Sequence, residues 1–139
     1  MSRLWKKLGG VLAVTIFLGA CQITPMGSSW DSPPRFTKAQ VFNAALQSGA
    51  QNGMRVDSQD RESGTISLSK RVAKGDFILG VRVTEASKRV NVQTTGSFGG
   101  DLAVAGLHEE FIKNFHVFLF RILGISDPAA RNISIGELK

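Results

Sequence analysis

Few groups in this sequence could do chemistry beyond simple charge: one thiol at Cys21, imidazoles at His108 and His116, and a serine set among glycines at Gly96-Ser97-Phe98-Gly99. The two histidines stand eight residues apart on one predicted helix. At 1.5 Å of rise per residue their separation is about 12 Å, too far to share a metal ion. His108-Glu109-Glu110 lacks the second histidine, four residues on, that a zinc-protease helix requires. The glycine–serine run only superficially suggests a nucleophile elbow, and it matches neither the dinucleotide fingerprint nor the phosphate-loop lysine pattern. Glu109 and Glu110 point to different faces of a helix, in early turns where the dipole favours negative charge anyway. The other acidic residues are scattered among basic ones, so no pair declares itself as acid and base. We therefore expect no enzyme, no bound metal and no cofactor.

Cys21 differs because of what precedes it. Arg3, Lys6 and Lys7 lead into the apolar run Val11-Leu12-Ala13-Val14-Thr15-Ile16-Phe17-Leu18, then Gly19 and Ala20. That is the charge, core and cleavage layout of a secretory signal. The run falls far short of the roughly 20 residues a permanent membrane span needs. Leu18-Gly19-Ala20-Cys21 resembles the lipobox of bacterial prolipoproteins. The resemblance implies removal of residues 1–20, a diacylglycerol on the Cys21 sulfur, and acylation of the new amino terminus. One acyl chain holds a protein only marginally; two or more, at about 0.8 kcal/mol per buried methylene, hold it firmly. Gln22 stands where some bacteria use an aspartate for inner-membrane retention, so the expected address is the outer membrane, facing the periplasm.

Removing the signal changes the charge argument. The whole chain carries 17 Lys+Arg against 11 Asp+Glu, but Arg3, Lys6 and Lys7 leave with the signal, lowering the net charge from +6 to +3. A nucleic-acid reading loses half its support, while mild positive charge still suits anionic headgroups or acidic partners. The remaining 119 of 139 residues suffice for one domain with one core. With Cys21 given to lipid, no disulfide can form, and stability must come from packing.

Residues 21–36 read as the lipidated cysteine and a flexible tether, rich in Ser, Gly and Pro and stiffened at Pro33-Pro34. Trp30 is the odd member, open to two readings: insertion into the membrane interface or packing on the domain. A helix starts at Thr37, whose spacing to Gln40 allows a capping box, with an apolar stripe through Val41, Phe42, Ala44, Ala45 and Leu46 and a stop at Asn52-Gly53. Four period-two segments follow: Met54 to Asp60 with Val56 inward, Thr65 to Val72 with Ile66 and Leu68 inward, Phe77 to Glu85 with Phe77, Leu79, Val81 and Val83 inward, and Arg89 to Gly96 with Val90 and Val92 inward. Short turns between them predict an antiparallel meander with a polar outer face. On that face Arg71, Arg82, Asn91 and Gln93 are the candidate partner contacts.

Gly96 to Gly100 reads as a flexible loop or hinge, followed by a helix cap at Asp101 or later. The second helix, about Leu107 to Leu123, carries a stripe of Leu107, Phe111, Phe115, Phe118 and Ile122. Val117 and Phe120 fall off that stripe, leaving surplus apolar surface that must meet the first helix, the tail or another molecule. Val117 and Phe120 are thus candidates for an interaction surface. Gly124 ends the helix, and residues 125–139 form a tail able to fold back.

The expectation is an α+β domain over residues 37–124, a four-stranded antiparallel meander with helices on one face in the order α-β-β-β-β-α. That order, with Gly64-Thr65-Ile66 leaving the first hairpin, resembles the helix-grip domains of BamC-like small envelope lipoproteins. The function expected is a non-enzymatic, membrane-anchored envelope lipoprotein that docks an envelope protein or itself. The alternative is a carrier with an apolar or lipid ligand in a cavity bordered by Phe111, Phe115, Phe118, Leu79 and Val81.

Overall fold

The alternation read along Thr65 to Gln93 becomes the centre of an antiparallel sheet. A computed structural model describes residues 26–73, 75–99 and 105–137. Its elements, in chain order, are β1 (Met26–Asp31), α1 (Lys38–Gln51), β2 (Arg55–Asp60), β3 (Thr65–Val72), β4 (Gly75–Ala86), β5 (Arg89–Gly99), α2 (Ala105–Leu123), a 3-10 turn (Ala129–Arg131) and β6 (Ser134–Glu137). The six strands order as β2-β3-β4-β5-β1-β6, every neighbouring pair antiparallel. The fold is α+β, with α1 lying over β2 and β4, and α2 over β1 and β5.

The helices begin and end as their sequences dictate. Thr37 accepts from the Gln40 backbone N–H, and the Gln40 side chain accepts from the Thr37 N–H, completing the capping box. Both helices close in the same way. Met54 N–H reaches Gly49 O and Ile125 N–H reaches Phe120 O, across Gly53 and Gly124, whose positive φ lets the chain turn back. Gly49 also lets α1 approach the sheet, since a Cβ there would lie 2.8 Å from a Leu68 methyl. Ser48 donates to Phe115 O at 2.6 Å, joining the helices inside the core. Ile66, Leu68, Phe77, Leu79, Val81, Val83, Val90 and Val92 are all buried beneath them, as the period-two pattern predicts.

Four expectations need correction. Residues 26–31 are not tether but a strand inside the sheet, between β5 and β6. Between its ends the strand is Gly27-Ser28-Ser29, and the inward position there is the polar Ser28, so hydrophobic alternation does not reveal it. Gly96 to Gly99 is not a loop: β5 runs through it, and Gly96 leaves room for the Phe77 ring, which a Cβ would meet at 3.1 Å. The tail supplies β6, so the folded unit extends on both sides of 37–124. Val56 is 38% exposed, because β2 is an edge strand whose register slips between Val56 and Ser58. The signal, Cys21, residues 22–25, Gly100 and the Asp101 cap lie outside the described residues.

The buried face of α2 is also rotated from the predicted stripe. Ile112, Phe115, His116, Leu119 and Phe120 are buried, while Phe111, Phe118 and Ile122 are only partly so. The rotation follows from β1, which brings Trp30 against Phe120, ring centroids 5.0 Å apart.

The β4–β5 hairpin turns in two residues, Ser87 and Lys88, at φ 52° and 65°. That is the left-handed pair a tight hairpin requires, filled by residues that disfavour it. Replacing the pair by Asn-Gly (Ser87→Asn with Lys88→Gly) should raise stability by about 1 kcal/mol, read as a higher urea midpoint with an unchanged slope.

Candidate functional site

Three polar features on this scaffold could do something chemical, and they lie in different places. The first is the open face of the sheet. The register sets Arg82 opposite Thr65 on one side and Gln93 on the other, with Gly80 opposite Thr95. Because Gly80 has no side chain, a shallow depression of about 290 Å³ forms there, lined by Thr65, Ile66, Gly80, Val81, Arg82, Gln93 and Thr95. Arg82 and Gln93 are exposed beside it. Asn91, expected to join them, is occupied within the fold. Its amide donates to Asp31 Oδ1 at 2.8 Å and to Ser29 Oγ at 3.1 Å, tying β5 to β1.

The second feature takes Arg71, farther along the same face. A groove of about 400 Å³ is lined by Gly53, Arg55, Ser69, Lys70, Arg71 and Asp76. Arg71 Nε pairs with Asp76 at 3.3 Å and Arg55 Nε with Asp57 at 2.8 Å, with the arginine side chains 87% and 80% exposed. Pairs this exposed contribute little stability and leave most guanidinium donors free. Lys70 Nζ donates to Asn52 O at 3.1 Å and lies 5.7 Å from the Phe111 ring centroid. Hydrogen bonds from Ser69 and then Arg55 hold the Asp57 carboxyl below its usual range.

The third feature went unseen in the sequence. His116, expected at the edge of an amphipathic face, is fully buried, and its Nε2 lies 2.7 Å from Ser28 Oγ. Ser28 Oγ in turn lies 2.5 Å from Thr94 Oγ1, its partner across the β1–β5 ladder. Among the described residues, His116 Nδ1 is the buried side-chain polar atom with no partner. An unpaired lone pair costs less than an unpaired N–H, so the imidazole carries its proton on Nε2 and donates to Ser28. A serine–histidine pair can serve a nucleophile, but Ser28 is 2% and His116 0% exposed, closed to any substrate in this structure. No linear pattern could announce the cluster, because its members are 88 and 66 residues apart.

Of the two helix candidates, Val117 is 49% exposed and keeps its place on the surface, but Phe120 is buried at 5% and is withdrawn from the interaction surface. The Trp30 and His116 rings pack against it, and Ala130, Ile133 and Ile135 of the tail pack on the same core. The surplus apolar surface of α2 is thus covered largely from within the chain. Nothing is described of the His108 side chain. Among the described residues, no cluster of three or more metal-ligating side chains occurs, and no helix is long and apolar enough to cross a membrane.

No family model matches the chain, and no curated protein matches it. Among solved structures it is similar to that titled "Crystal structure of Ara h 8.0201", with 11% identity and a TM-score of 0.42, covering 71% of this chain and 99% of that one.

Burial lowers the His116 pKa from 6.5 to about 4. Between those values the unfolded chain holds a proton that the folded chain refuses, so stability is full above about pH 6.5 and falls as the pH drops towards 4. Asp57 and Asp60, both held below the usual carboxylate range, titrate beneath this window. Urea midpoints should therefore report a loss of about 2 kcal/mol between pH 7.5 and pH 5, and His116→Gln should flatten that slope. Phe120→Asp, by contrast, should cost about 3 kcal/mol or more as a buried unpaired charge, seen as unfolding rather than as a change in partners.

Proposed function

We propose that this chain is a lipid-anchored lipoprotein of the bacterial envelope, with a helix-grip-like domain that acts as a non-enzymatic interaction module. The observation that carries the reading is the signal-like pattern closing on Leu18-Gly19-Ala20-Cys21, in a chain with no second cysteine to compete for another role. The thiol takes a diacylglycerol, residues 1–20 are removed, and the domain works at the outer membrane on its periplasmic side.

The protein-facing surface in this reading is the open face of the sheet around Arg82 and Gln93, with Val117 a separate apolar contact. The packing of the interior favours docking over carriage of an apolar ligand. Phe111 stacks on Phe77 with centroids 4.5 Å apart, and Phe115, Leu79 and Val81 are almost wholly enclosed.

Growing cells with a clickable palmitate analogue tests the anchor directly. The native chain should incorporate the label and run as the mature species from Cys21, whereas Cys21→Ser should remain unlabelled. Unmodified Cys21 in the mature protein, by mass spectrometry, would overturn the reading. Crosslinking in intact cells tests the docking face: Arg82→Ala should reduce the recovered partner at least severalfold, without a change in the melting temperature.

A further inference from the structure

The start of β1 changes what a lipid at Cys21 would do to the domain. Only residues 22–25 separate Cys21 from Met26, the first described residue of β1. Five chain steps span at most about 18 Å. A tether read to residue 36 would let the domain stand clear of the bilayer; this one keeps one end of the sheet beside it.

The register identifies that end. Met26 pairs with Gly96, Gly96 with Leu79, Leu79 with Leu68, and Leu68 with Val56. One residue beyond that row lie Arg55, Ser69 and Ile78, and farther out Arg71 and Asp76. The basic groove of Arg55, Lys70 and Arg71 is therefore at the anchored end. So are Val56 and Ile78, which are 38% and 37% exposed. These are two of the three exposed large hydrophobic residues among those described. Cations beside exposed apolar side chains are what a surface needs to meet headgroup phosphates and the upper acyl region together. A second set of cations, Arg35, Lys38, Arg61, Lys88 and Arg89, belongs to the other end. Reaching the bilayer from there would require spanning the length of β4, about 35–40 Å.

Resting on the lipid-anchored reading above, we propose that the anchored end of the sheet lies against the bilayer, its groove of Arg55, Lys70 and Arg71 binding the phosphates of anionic lipid headgroups. The salt bridges to Asp57 and Asp76 use the Nε of each arginine, and Arg55 Nη2 also donates to Ser69 Oγ at 3.4 Å, which leaves Arg55 Nη1 and both terminal nitrogens of Arg71 to engage phosphate. The remaining exposed face of the sheet, with Arg82 and Gln93, then points along the membrane or away from it and stays available to protein.

The full lipidated protein, reconstituted in vesicles with an acceptor dye on the headgroups, tests this. Because Cys21 is acylated, Ala73→Cys and Glu85→Cys each give one labelling site, at opposite ends of β4. Transfer should be stronger from position 73 than from position 85. The contrast should grow when anionic lipid replaces zwitterionic lipid and shrink again in high salt. Arg55→Glu with Arg71→Glu, both on exposed side chains, should abolish the anionic-lipid dependence while the melting temperature holds. A contrast indifferent to lipid charge, or unmoved by the double reversal, overturns the proposal. Failure of the protein to float with vesicles of either kind would instead sink the lipid anchor, which separates the two readings.

Discussion

The burial of Trp30 in β1 is the constraint on which the remaining structure depends. Its ring lies edge-on to Phe120, and its indole nitrogen donates to Ala130 O at 2.8 Å. One side chain thus fixes the sheet, the end of α2 and the returning tail together. Strand β1 also pairs on both sides, with β5 and with β6, so β6 has its place in the sheet through β1 alone. Burying a residue of this size contributes a large share of a small domain's margin. It sets the rotation of α2, and through that rotation decides which of the helix's apolar residues face water.

The same strand takes part in the one unsatisfied buried polar site among the described residues. Ser28 faces Thr94 across the ladder, and α2 delivers His116 onto the pair. An all-apolar contact there would be cheaper, since burial holds the imidazole neutral and leaves Nδ1 without a partner. What the cluster supplies is definition. The Gly27-Ser28-Ser29 middle of the strand has no hydrophobic pattern to hold its register, and a three-member hydrogen-bonded chain from strand to strand to helix supplies a directional constraint. In this structure the serine–histidine pair is sealed from solvent and ties strand to helix.

The docking role proposed above lies on the surface, and the fold divides that surface. The open face offers Arg82 and Gln93 around a depression made by a missing side chain at Gly80. The end of the sheet nearest Met26 offers a basic groove flanked by exposed Val56 and Ile78. The two regions lie on one sheet but differ in their relation to the chain's start. In the lipid-anchored form proposed above, the end nearest Met26 is the membrane side and the open face is the partner side.

The sequence by itself determined the elements whose cause is local. The capping box at Thr37, the glycine stops after both helices and the inward residues of β3, β4 and β5 follow from propensity and strict alternation, which neighbouring residues express without help. It likewise supplied Arg71, Arg82 and Gln93 as exposed polar positions. The tertiary structure alone decided that Gly27-Ser28-Ser29 is strand and not tether, because that segment is held by ladders to residues more than 60 positions away. It decided, too, that Phe120 is covered, that Asn91 is occupied by Asp31 and Ser29, and that His116 is sealed inside. In each case the partner comes from β1 or the tail, and a one-dimensional pattern carries no record of which distant strand will lie alongside.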